Sequence, residues 1–348
     1  MGMIQLPQNS IDFFKENLDD IFLSGAFAEG KWNDEIVRYV KEMAKSNYAL
    51  PTNSNGAGMV ALLTLYRHYY GRSNVFIQSN TMYGVKTMVY AAGCNLRGYI
   101  ECQIESLMPS ISDIQHSIEG MSQDEKNKVV ILLSHIGGII NPDIEEIAKL
   151  CKKENIILLE DCAHSFGATL RGKHSGLFGD AGVYSFYATK AIPAGEGGVV
   201  VTNNDIIGEW INKFAIYDRF DQQLEVGSNI RVSEVQALLI YSAIKEYKTI
   251  IENKIPMAEK YMDACRKNNI KYIAQDEDGH WGNYYKFIII SPDSPIDKVF
   301  PNLRTKTSPV YDYDIGTPNS VASYHACLPI WYGQDHEVIE KVILELKK

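Results

Sequence analysis

Apolar positions along this chain keep switching between two spacings. Residues 56–70 (GAGMVALLTLYRHYY) follow a polar turn with helical periodicity, 74–78 is a short strand-like run, and 83–92 returns to helical spacing before Gly93 closes it. The alternation then continues. Residues 129–133 are β-branched and leucine, 143–154 carry an amphipathic pattern after Asn141-Pro142, and 156–160 reads as the next strand. Two further strands are expected at 182–187 and 198–202, and a long helix at 233–247. Strands joined through helices predict an α/β class, with a mostly parallel sheet sandwiched by helices.

Past residue 245 the alternation loosens. A helix over 255–268, a strand over 285–290, an irregular stretch bearing Pro and Tyr over 291–318, and a helix from 335 onward describe a small α+β unit. The expected organisation is a large domain, 1–245, followed by a small C-terminal domain, 246–348. A chain of 348 residues, 45% of them apolar, can bury a core in each.

Charge and cysteine usage narrow the function classes. Lys+Arg 34 against Asp+Glu 43 leaves a net charge of -9 with no basic run, so nucleic acid is not an expected partner. Small anions remain open, because local backbone amides decide phosphate binding. Cysteines 94, 102, 151, 162, 265 and 327 include no CxxC pair and read as buried thiols of a reducing compartment. The amino-terminal residues lack a signal-peptide pattern and no segment is apolar for a membrane span, which predicts a cytoplasmic protein with no membrane partner.

Chemistry concentrates at two places. The apolar run at 156–159 ends in Glu160-Asp161-Cys162-Ala163-His164, which puts a carboxylate and an imidazole at the carboxyl end of a buried strand. An isolated Glu-Asp pair reads first as a turn or helix cap, but open α/β sheets hold their ligands at that end. Lys190 follows the aromatic run Tyr184-Ser185-Phe186-Tyr187 and precedes the turn Gly195-Glu196-Gly197-Gly198. An amine for a Schiff base and an acid to keep a pyridine nitrogen protonated are what pyridoxal 5'-phosphate requires. The phosphate needs N–H groups at a helix amino end, which Asn53-Ser54-Asn55-Gly56-Ala57-Gly58 offers, with the Ser185 hydroxyl beside them. That segment also reads as Gly56-x-Gly58-x-x-Ala61, a loose dinucleotide fingerprint, so an NAD-dependent dehydrogenase is an alternative; the strand that follows ends in Gln78-Ser79-Asn80 without the acid that holds a ribose.

The array EDCAHSFGA, GDAGVYSFYATK, GEGGVVVTN and GSNIRVSEVQA resembles the DegT/StrS family of nucleotide-sugar aminotransferases, fold-type I pyridoxal phosphate enzymes. The resemblance runs from about Ser24-Gly25 to Leu328-Pro329. It implies that Lys190 carries the cofactor, that Asp161 pairs with the ring nitrogen, and that His164 lies near the phenolic oxygen and ring. Ser185 and the backbone of Gly56 and Ala57 would hold the phosphate, joined by Asn229 from a second subunit of a homodimer. The family's stacking aromatic is replaced by Met82, with Tyr83 beside it as a substitute, and the region between Phe300 and Leu328 is shorter than in most relatives, with Arg304, Tyr311 and Tyr313 on it. The implied activity is transfer of an amino group, with L-glutamate as donor, to a nucleotide-linked keto-sugar, and no metal. A dehydratase branch of the family replaces the lysine by histidine; Lys190 argues against it, and a cofactor-binding regulator without turnover is the remaining alternative. Of the other residues, His135 reads as a structural histidine near the site, and Trp32 as a candidate for the rim of the substrate cleft.

Overall fold

The computed structural model describes residues 4–217, 224–311 and 321–347. Its centre is a seven-stranded sheet in the order Tyr48–Thr52, Gly198–Thr202, Ala181–Ser185, Ile157–Cys162, Val129–Ser134, Asn74–Gln78 and Asn95–Ile100. From Ala181–Ser185 outward to Asn95–Ile100 every pairing is parallel. The two remaining pairings, of Gly198–Thr202 with Ala181–Ser185 and with Tyr48–Thr52, are antiparallel. Val129–Ser134 is buried at all its positions, as a strand covered on both faces must be. Alternate residues divide between the faces: Val130 and Leu132 join Leu62 and Met59 of the helix Asn55–Tyr70, whereas Ile131 and Leu133 join Ile144 and Ile147 of Ile144–Lys153. Helices Gln8–Ser24, Lys31–Ala44 and Glu234–Ile244 cover the far end of the sheet.

A second, three-stranded antiparallel sheet, Lys271–Tyr272, Phe287–Ile290 and His325–Leu328, packs with helices Tyr247–Lys267 and His336–Glu345 around its own core. Tyr247–Lys267 joins the two halves, since Ile250 packs in the core of the large sheet and Ile251 and Met257 in that of the small one. The helix begins well before the expected residue 255. Pro256 lies inside it.

Three expectations change here. The strand expected over 182–187 ends at Ser185, and Lys190 sits on the connection between two antiparallel strands. Gly56, Gly58 and Ala61 fall within the helix Asn55–Tyr70, after an edge strand that pairs antiparallel, so they are not a dinucleotide turn. A Cβ on Gly58 would stand 2.9 Å from Val183 and Val200, so this glycine lets the helix lie on the sheet. Trp32 is buried at 3% exposure against Phe13 and Tyr241, not on a cleft rim. The six cysteines are all buried and none forms a disulfide. Among the described residues no helix is long and apolar enough to cross a membrane.

Candidate active site

Asp161 and Ser134 stand at the carboxyl ends of adjacent parallel strands, where the sheet opens. The Asp161 carboxylate is buried; its Oδ1 accepts from Asn55 Nδ2 and from the Ala163 N–H, both at 3.0 Å, and its Oδ2 from the Ser134 hydroxyl at 3.3 Å. Asn55 also donates to the Val183 carbonyl at 2.7 Å. The first residue of a helix is thereby tied to two strands, and the helix amino end is fixed over the acid. Asn55 was part of the quoted turn, but its contact with Asp161 had no sequence signal.

Lys190 is held by a turn closed through backbone bonds, Ala188 N–H to Gly195 and Phe186 N–H to Gly197, with Ala194 N–H returning to Phe186. Gly197 has φ 135° and a Cβ there would meet Ile240 at 2.5 Å, so the turn needs glycine twice over. Burial pushes the Lys190 amine down to about 8, opposed by the Asp161 carboxylate and assisted by Lys286. The two groups that the sequence set apart by 29 residues therefore act on one another electrostatically.

An aromatic group lies beside the lysine. Lys190 Nζ stands 5.5 Å from the Tyr285 ring centre, and Tyr285 packs on the His164 ring at 4.2 Å. On its other contact His164 is parallel to Tyr311 at 5.4 Å and shares a 3.0 Å hydrogen bond through Nε2 with the Tyr311 hydroxyl. Burial, then the Lys190 and Lys286 charges, hold the His164 imidazole well below its usual range, so the ring is neutral. A cavity of about 530 Å³ opens here, lined by His164, Lys190, Tyr285, Lys286, Tyr311 and Met82 among others.

The remaining candidates are placed as follows. Ser185 is buried, accepts from the Tyr187 N–H at 3.4 Å, and pairs across the strands with Gly198. A Cβ on Gly198 would lie 2.6 Å from the Asn55 nitrogen, so Ser185 and the helix amino end converge. The Ala57 N–H already donates to Ser54 Oγ at 3.0 Å, which makes Ser54 the cap of that helix. Met82 lines the cavity, while Tyr83 is 47% exposed with Lys86 over its ring at 5.5 Å. Asn229 is exposed, close to Asn53, whose side chain donates to the Asn229 carbonyl at 3.4 Å. Tyr313 lies outside the described residues.

His135 is fixed at both nitrogens: Nδ1 accepts from the Asn141 N–H at 3.1 Å, so Nε2 carries the proton and donates to Glu160 at 2.8 Å. With Cys162 these groups converge within 4.8 Å, but each oxygen of Glu160 is already taken by backbone N–H groups of Gly176, Phe178 and Gly179. The cluster is a structural knot. Two observations among the described residues fit a bound heteroaromatic cofactor on the Asp161 side: Oδ2 has one long hydroxyl contact, leaving room for a ring N–H, and His164 Nδ1 is buried without a hydrogen-bond partner.

Residues 9–313 match the DegT/DnrJ/EryC1/StrS aminotransferase family. The chain is 30% identical over 272 residues to GDP-perosamine synthase of Vibrio cholerae, covering 74% of this chain and 70% of that protein. It is 27% identical over 278 residues to the GDP-perosamine synthase of Escherichia coli O157:H7, covering 76% and 69%. A crystal structure of a family aminotransferase from Brucella abortus superposes with a TM-score of 0.82 over 97% of this chain and 95% of that one, at 16% identity, a likeness of fold. The chain belongs to the DegT/DnrJ/EryC1/StrS aminotransferase family, whose members are pyridoxal phosphate-dependent.

Proposed function

We propose that the protein transfers the amino group of L-glutamate to a keto-sugar carried on a nucleoside diphosphate, as a homodimer with shared sites. The observation that carries this reading is the Lys190 amine, half-buried at the cavity wall and lowered to about 8 while still in the field of Asp161. An amine in that state is in part neutral and nucleophilic near neutral pH. Asp161 would face the ring nitrogen of pyridoxal phosphate, with Asn55 and Ser134 orienting its carboxylate. Ser185 and the amino end at Gly56 and Ala57 would hold the phosphate, completed by Asn229 of a second copy; His164, kept neutral, would lie against the ring, with Met82 at the cavity wall. When bound, the cofactor supplies an electron sink for the carbon that gives up or receives the amine. Lys190 holds and returns the proton at that carbon, and Tyr285 and Tyr311 keep water from it.

The test is direct. Holoenzyme mixed with L-glutamate should lose the visible absorption of the lysine-bound cofactor and release 2-oxoglutarate. A panel of nucleotide-linked keto-sugars, scored by the mass of the amino product, then identifies the acceptor. Unchanged absorption with glutamate and with other amino donors would favour the regulator instead.

A further inference from the structure

The cavity beside Lys190 holds two more lysines that the reaction above leaves unused. Lys254, on the helix Tyr247–Lys267, is 3% exposed, and its ammonium reaches the Asn283 and Tyr284 carbonyls at 3.5 and 3.4 Å. Lys286 reaches the Thr307 hydroxyl at 3.3 Å and the Ser308 carbonyl at 3.5 Å. It also stands 5.4 Å from the centre of the Tyr285 ring, the ring that Lys190 approaches from 5.5 Å. Among the described residues neither lysine forms an ion pair with a carboxylate. Lys254 is buried and Lys286 half-buried, and an ammonium on long contacts to neutral oxygens retains most of its capacity for an anion.

We propose that Lys254 and Lys286 form the subsite for the distal carboxylate of a dicarboxylic amino donor; this rests on the transaminase reading. Shape decides between the anions that the reaction brings. A diphosphate sits inside a nucleotide sugar, with a nucleoside on one side and a sugar on the other, so it needs a groove open at both ends. Lys254 is 3% exposed among the residues that line the cavity, so an anion that terminates its molecule reaches it more readily than one flanked on both sides. A second carboxylate, a few carbons from the amine presented to Lys190, is such a group. Two ammoniums also discriminate against donors without it, because an uncharged side chain would leave both unpaired.

Holoenzyme is titrated calorimetrically with glutarate, an unreactive dicarboxylate, with butyrate and with a nucleoside diphosphate, in wild type, Lys286→Gln and Lys254→Met. Glutarate affinity is expected to fall about tenfold or more in each variant, with nucleoside diphosphate binding unchanged and butyrate weak throughout. Equal glutarate affinity in all three proteins, no glutarate binding to wild type, or loss of the nucleoside diphosphate instead, each overturns the subsite. The absorption test with glutamate is run on the same wild-type sample. If wild type converts while glutarate binding is indifferent to both lysines, the subsite fails and the transaminase stands; if glutarate binding depends on them and wild type is inert to glutamate, the reverse holds.

Discussion

The acid end of the cleft and its lysine-lined cavity treat buried charge in opposite ways. Glu160 accepts from His135 Nε2 and the Gly176, Phe178 and Gly179 N–H groups, all within 2.7 to 2.8 Å, and its neighbour Asp161 from Asn55, Ala163 and Ser134. Lys190, Lys254 and Lys286 share one cavity, and burial lowers all three amines. A carboxylate wrapped in backbone donors is scaffold, since its charge is already spent on holding loops. An amine left facing a cavity is destabilising until a ligand arrives, and such a residue is kept for binding or chemistry. Glu160 and Asp161 show the division within one dipeptide, because consecutive strand residues point to opposite faces.

The sharpest way to break this comparison is to remove the amine that chemistry needs. Lys190→Ala should leave a folded protein that binds pyridoxal phosphate without the lysine-linked absorption and transfers no amine, a loss of several orders of magnitude. A normal absorption band in that variant would falsify the assignment. On the scaffold side, Glu160→Gln places an amide NH₂ against N–H groups that now share a carboxylate, leaving buried donors unsatisfied. Unfolding by urea should show a loss of about 3 kcal/mol. A variant as stable as wild type would mean that Glu160 is not the structural knot described here.

Much of the acid end was legible beforehand, and little of the cavity was. Asp161 and Lys190 each stand at the end of an apolar run, so local pattern places them at a sheet edge. Lys254 sits mid-helix and Lys286 directly precedes a short strand, and nothing in their local spacing distinguishes them from solvated lysines. What brings them to Lys190 is the packing of the small sheet on the large one. The two strands flanking Lys190 were recognised but their direction was not, because an apolar run carries no sign of which neighbour it will pair with. Helices Gln8–Ser24 and Lys31–Ala44 were unread; Glu234, which accepts from the Gly30, Trp32 and Asn33 N–H groups, caps the second of them from 201 to 204 residues away.

A milder test uses stability and pH. Burial pushes the Lys254 amine down to about 7, against about 10.4 when unfolded. The folded state thus sheds a proton that the unfolded state keeps, so the penalty is full below about pH 7 and is relieved as pH rises toward 10. Lys254→Met, which fills the same space without charge, should therefore be more stable than wild type by about 2 kcal/mol at pH 6, with the gain shrinking as pH rises. A gain that is constant with pH would show that packing, not charge, makes the difference. Loss of stability at pH 6 would place Lys254 with the scaffold.

The smallest expected effect tests whether the acid end is completed by a second copy. Asn229 is exposed, and among the described residues its side chain accepts a 3.3 Å bond from the Arg231 N–H, so Asn229→Ala should change the stability of the chain by less than about 0.5 kcal/mol. Cofactor retention should nonetheless fall several-fold, read as faster loss of absorption on dialysis. Mixing separates an effect across the dimer from one within a chain. In a dimer of one Lys190→Ala chain and one Asn229→Ala chain, a shared arrangement leaves one site with both native residues and the other with neither. Such a mixture should recover activity that neither variant has at low cofactor concentration. If Asn229 serves its own chain, each site keeps one defect and mixing recovers nothing.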